Sequence, residues 1–125
     1  MAPRFPLQYI FVVYLVLLLA ATFVPYGQAL EHMGRINDLY FRLDYLLHAL
    51  LFLVLVPLWA WAMPAWRRWQ IVAAALVLAI MAEGAHYFLA YRSFNPVDML
   101  ANGAGVLLGA GLMMLLPRQP ALPLR

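Results

Sequence analysis

Asp44 and His48 stand four residues apart, Glu83 and His86 three apart, and Asp98 and Asn102 four apart. These spacings place each pair on one face of a helix. A carboxylate or imidazole held in such a setting can exchange a proton near neutral pH, which is what a general acid or base must do. Arg92, between the second and third pairs, adds a planar guanidinium suited to bidentate contact with a phosphate or carboxylate. Glu83, Asp98 and His48 are therefore the candidate acid–base groups. Arg92, Asp44, His86 and Asn102 are the candidate substrate-binding groups. His48, His86, Glu83 and an Asp would also suit a divalent metal. They are dispersed and carry no recognisable ligand motif, so neither a metal nor another cofactor is assigned.

Each residue also has a plainer role. Asn95-Pro96-Val97-Asp98 reads as a helix start, with Asn95 as N-cap, Pro96 at the first helical position and Asp98 at the third. Asp44 near a helix N-terminus would gain from the dipole. The two histidines could bond a neighbouring helix, Asn102 could be helix–helix glue, and Arg92 could anchor at headgroups. Glu83 fits a plain role least, because a carboxylate several residues inside an apolar stretch is costly without a partner. Arg92, His48 and His86 are the candidate partners.

The elements that must position these groups are membrane helices. The chain has 125 residues, of which 67% are hydrophobic and 10% charged. Soluble domains run at about 45–50% apolar and about 25% charged. That excludes a soluble enzyme and a disordered chain, and the absence of cysteine excludes disulfides and thiolate metal sites. All eight basic residues are Arg, the net charge is only +3, and no clustered basic face suits a nucleic-acid partner. A hydrocarbon core of about 30 Å takes about 20 apolar residues in a helix. Four stretches qualify, at about 7–25, 43–63 with Pro57 inside, 69–89 and 97–116. The fold expected is all-α: an integral membrane four-helix bundle, one domain over residues 1–125, with the lipid bilayer as its surroundings. The first stretch is longer than a signal-peptide core and is followed by a poor cleavage site, so it reads as a retained helix.

Arg4, Arg67, Arg68, Arg118 and Arg125 fall on one side of such a bundle, and Arg35, Arg42 and Arg92 on the other with Glu31, Asp38, Asp44 and Asp98. Basic residues are retained in the cytoplasm, so both termini are expected there. Trp59, Trp61, Trp66 and Trp69 around the Arg67-Arg68 turn read as an interfacial aromatic belt. Alternating helix directions bring the start of the second span, the end of the third and the start of the fourth to the outer surface. Asp44, His48, Glu83, His86, Arg92, Asp98 and Asn102 would then meet in one outward-facing pocket. Ala101, Gly105 and Gly109 form a small-residue face that permits close helix approach, within the unit or to a partner membrane helix.

The pattern Asp44-x3-His48, Glu83, then Arg92-Ser93-Phe94-x3-Asp98-x3-Asn102-x2-Gly105-x3-Gly109 resembles the VanZ-like family of small bacterial membrane proteins. The resemblance covers about residues 7–116. Two positions depart from the family's usual pattern: Tyr45 stands where Lys is common, and His86 where Gln is common. The resemblance implies a multi-pass protein of the bacterial cytoplasmic membrane, in a family named for glycopeptide (teicoplanin) resistance. Two functions follow as expectations. One is binding or processing of an anionic or lipid-linked envelope substrate at the pocket. The alternative is a structural or accessory subunit of a larger membrane complex, with no catalysis.

Overall fold

The computed structural model of the protein describes residues 6–24 and 37–117. Arg4, Pro25, Glu31, Arg35, Arg118 and Arg125 lie outside the described residues, as do the side chains of Asp38 and Arg42. Four α-helices are described: α1 Leu7–Phe23, α2 Asn37–Ala62, α3 Arg68–Ala85 and α4 Pro96–Leu115. A single 3-10 turn, His86–Phe88, extends α3.

Three segments, Asp44–Ala62, Arg68–Phe88 and Pro96–Leu115, are long and apolar enough to cross a membrane. Helix α1 has 17 residues, at the short end of the spanning range of about 17–25. Its outward side chains Ile10, Val13, Val16 and Leu17 are exposed, as are Ile80 and Met81 on α3 and Leu107 and Leu108 on α4. An apolar exterior of that extent belongs in lipid.

Helix α2 starts at Asn37, earlier than the apolar stretch from residue 43 predicts. Apolarity marks where a helix enters hydrocarbon, whereas helix formation needs only backbone hydrogen bonds, which polar residues also make. The consequence falls on Asp44, which is two turns into the helix and so does not cap it. Pro57 is inside α2, as expected.

Each of the last two helices buries one narrow stripe. On α3 the stripe is Ile71, Ala75, Ala79, Ala82 and Glu83, so small side chains lead directly to the carboxylate. On α4 it is Asp98, Asn102, Gly105, Val106, Gly109 and Met113. A methyl on Gly105 would collide with the Ala49 carbonyl, and one on Gly109 would sit 2.7 Å from the Leu53 carbonyl. The α2 and α4 backbones are therefore in direct contact. Pro57 has no N–H, so the carbonyl four residues before it, that of Leu53, lacks its usual helix partner. Gly109 lies against this carbonyl, where a Cα–H can take the place of the missing donor.

Helix α1 leans on α2: the Tyr14 hydroxyl donates to the Leu51 carbonyl at 2.6 Å, and the Phe11 and Trp59 rings are 5.2 Å apart. Trp59 also meets Trp66 at 5.6 Å. Trp59 therefore packs inward, while Trp66 and Trp69 are exposed at the turn as an aromatic belt requires. Arg68 closes the far end of α4, donating to the Leu116 carbonyl at 3.3 Å. A cation there complements the negative end of the helix dipole.

Candidate functional site

Thr22 at the end of α1, His48 early in α2, Glu83 at the end of α3 and Asp98 at the start of α4 all lie at one end of the bundle, and all are buried. The structure arranges the polar groups there as two adjoining sets.

The first set lies between α2 and α4. His48 Nδ1 donates to Asn102 Oδ1 at 3.0 Å. The amide oxygen is an acceptor only, so Nδ1 carries the proton of that bond. His48 Nε2 faces Asp44 Oδ1 at 3.8 Å and Asp98 Oδ2 at 4.0 Å. Both distances are too long for hydrogen bonds. Asp98 does not cap its helix. That role belongs to Asn95, whose side-chain oxygen accepts from Val97 N–H at 3.0 Å, with Pro96 opening the helix.

The second set joins the α3 terminus to α1 and the following loop. Glu83, fully buried, has Oε1 3.1 Å from His86 Nδ1 and accepts from Asn95 N–H at 2.9 Å. Of the three partners that the sequence allows for Glu83, His86 is thus placed against it. His86 Nε2 donates to the Thr22 carbonyl at 2.8 Å. A carbonyl cannot donate, so Nε2 carries the proton of that bond, and Nδ1 is the ring nitrogen turned toward Glu83 Oε1. A carboxylate and an imidazole at this separation have the geometry that an acid–base pair requires. Arg92 donates from Nη2 to the same Thr22 carbonyl at 3.0 Å, and the Tyr91 hydroxyl donates to the Phe23 carbonyl at 3.0 Å.

Thr22 and Phe23 join the candidate site through their backbone carbonyls, which side-chain types do not mark. The last carbonyls of any helix need donors from elsewhere. Those of α1 find them in the loop that carries Arg92. The end of α1 is thereby recruited to a site that the sequence assigns to α2, α3 and α4 alone.

The two sets touch through the Asn95 turn, which receives Glu83 on its backbone and begins the helix bearing Asp98. Asp98 lies within electrostatic reach of His48, Asp44 and Glu83. Among the described residues, the buried atoms at this end that lack a hydrogen-bond partner include Asp44 Oδ1, His48 Nε2, Glu83 Oε2 and Asp98 Oδ1. Burying such atoms costs about 1–3 kcal/mol each, more when charged. The metal set read from sequence is divided between the two groups. Both ring nitrogens of His86 are taken by protein oxygens, whereas Asp44, His48 and Asp98 each present a ligand atom within 4.8 Å of the others.

Gly105 and Gly109 are taken up by α2 within the unit, while Gly103 and Gly111 have no protein atom within 4 Å of where a Cβ would stand. Tyr87 and Phe88 beside the site are strongly exposed, with their rings edge-to-face at 5.6 Å. The Tyr87 ring, apolar with a polar tip, is of the kind that favours the headgroup level of a membrane.

A family model described as VanZ/LLP1 matches residues 11–117. No curated protein and no solved structure gives a match.

Proposed function

The chain belongs to the VanZ/LLP1 family, and from that premise we propose that it is a multi-pass protein of the bacterial cytoplasmic membrane that binds or processes an anionic, lipid-linked envelope substrate. The observation that carries this reading is the gathering of Asp44 Oδ1, His48 Nε2, Glu83 Oε2 and Asp98 Oδ1, buried without hydrogen-bond partners, at one end of the bundle. Hydrogen-bonding capacity left open under burial is costly unless a ligand uses it.

In this reading the cluster opens to the outer leaflet, and Tyr87 and Phe88 mark the headgroup level. Arg92 contributes the positive charge that draws a phosphate or carboxylate. The Glu83–His86 pair holds a transferable proton, Asp44, His48 and Asp98 turn further polar groups toward the substrate, and Asn102 orients His48.

The test is retention of a polyprenyl phosphate by the purified full chain in detergent, with the neutral polyprenol as comparison. The expected result is selective retention of the phosphate, reduced at least about tenfold by Arg92→Gln, a loss of ~1.4 kcal/mol. Equal retention of the two lipids would overturn the reading. A second reading, an accessory subunit without catalysis, draws on α4, where Gly103 and Gly111 leave room for a helix from another protein.

A further inference from the structure

We propose that Asp44, His48 and Asp98 form a binding site for a first-row divalent cation of the Zn2+ type, with Asn102 holding the imidazole in the ligating tautomer. The inference goes beyond the substrate reading and does not require it.

The donor set is one nitrogen and two carboxylates, which suits Zn2+ and its neighbours. Bonds of about 2.0–2.2 Å to a tetrahedral ion place ligand atoms about 3.3–3.5 Å from one another. His48 Nε2 is 3.8 Å from Asp44 Oδ1 and 4.0 Å from Asp98 Oδ2. All three ligand atoms lie within 4.8 Å of one another, so binding an ion requires side-chain rotations that draw them together. Direct hydrogen bonds would require roughly 2.7–3.2 Å, so the groups stand too far apart to satisfy one another and near the spacing at which an ion satisfies all three.

Burial supplies the second observation. Asp44 Oδ1, His48 Nε2 and Asp98 Oδ1 have no hydrogen-bond partner, and His48 and Asp98 are 6% and 7% exposed. A proton on Nε2 would bring one positive charge to face two carboxylates, at distances too long for hydrogen bonds. A divalent cation balances both carboxylates and fills the unused lone pairs.

The surrounding structure orients the ligands as metal sites do. A ligating histidine characteristically donates its other ring N–H to an oxygen, which fixes tautomer and ring orientation. His48 Nδ1 does this to Asn102 Oδ1 at 3.0 Å. Asp44 and His48 come from one face of α2 and Asp98 from α4, and the contact of Gly105 with the Ala49 backbone holds those two helices together one turn away. Three protein ligands leave a coordination position open, as in catalytic zinc sites. Under the substrate reading, a phosphate oxygen would take it.

The test uses the full chain in detergent, stripped with a chelator and dialysed against Zn2+ with no lipid substrate present, so that its outcome is independent of the polyprenyl phosphate experiment. One bound Zn2+ per chain is expected. His48→Gln and Asp98→Asn should weaken binding by more than about a hundredfold, and Asn102→Ala by about ten- to a hundredfold. His86→Gln should leave the stoichiometry at one. Loss of Zn2+ in His86→Gln alone would refute this ligand set, as would undiminished binding in His48→Gln and Asp98→Asn. Because a variant could fail to fold, Co2+ added to the unaltered chain provides an independent measure. A visible absorption band displaced by Zn2+ supports the site, and neither a band nor bound Zn2+ overturns it.

Discussion

Replacing Glu83 by alanine is expected to destabilise the bundle by about 3–5 kcal/mol, read as a fall in the midpoint of unfolding by SDS in mixed micelles. The carboxylate is fully buried, and its Oε1 serves both His86 Nδ1 and Asn95 N–H. Alanine leaves the buried His86 Nδ1 and the part-buried Asn95 N–H without an acceptor. The Asn95 turn starts α4, so the loss is transmitted to Asp98 and to the α2–α4 set. Glu83→Gln separates stability from proton transfer. An amide keeps the shape and one oxygen acceptor, so its cost should be about 1–2 kcal/mol, yet it cannot share a proton with His86. If Glu83→Ala unfolds at the same SDS concentration as the unaltered chain, the buried pair does not organise this end of the bundle.

The second large effect is expected at Gly105. An added methyl meets the Ala49 backbone carbonyl, which no rotamer change can move. Gly105→Ala must separate α2 from α4, at a cost of about 1–3 kcal/mol by overpacking, and Gly105→Val should cost more. Separation also draws Asn102, one turn earlier, away from His48, so Zn2+ binding should fall with stability. Gly103→Ala is the comparison, because nothing lies within 4 Å of its Cβ position. There the alanine should be neutral or stabilising by up to about 1 kcal/mol, through helix propensity. Equal effects at the two glycines would contradict the close α2–α4 contact.

Much of this arrangement is legible in residue types and spacing. The Asn95-Pro96 helix start, the stripe from Asp98 through Gly105 to Gly109, and the shared face of Asp44 and His48 all follow from local chemistry and a period of 3.6. These features depend on neighbours along one helix, which sequence spacing encodes directly. What depends on contacts between distant segments is not encoded that way. The Thr22 carbonyl accepts from His86 and Arg92 across 64 and 70 positions of the chain, and a backbone carbonyl looks the same at every residue. The choice of His86 as the partner of Glu83 depends on the 3-10 turn at His86–Phe88. The role of Asp44 depends on α2 beginning at Asn37. With that start known, the benefit from the helix dipole falls away and Asp44 faces His48 from within the helix.

The proposed outer-leaflet site requires the polar end of the bundle to face outward and the Arg67-Arg68 turn to face the cytoplasm. The chain has no cysteine, so single cysteines can be introduced without background. Ser93, in the loop before α4, and Ala65, in the turn before α3, are both exposed. In spheroplasts treated with a membrane-impermeant maleimide, Ser93→Cys should be labelled directly and Ala65→Cys only after permeabilisation. Labelling of Ala65→Cys with protection of Ser93→Cys would place the polar cluster on the cytoplasmic side and rule out a site at the outer leaflet.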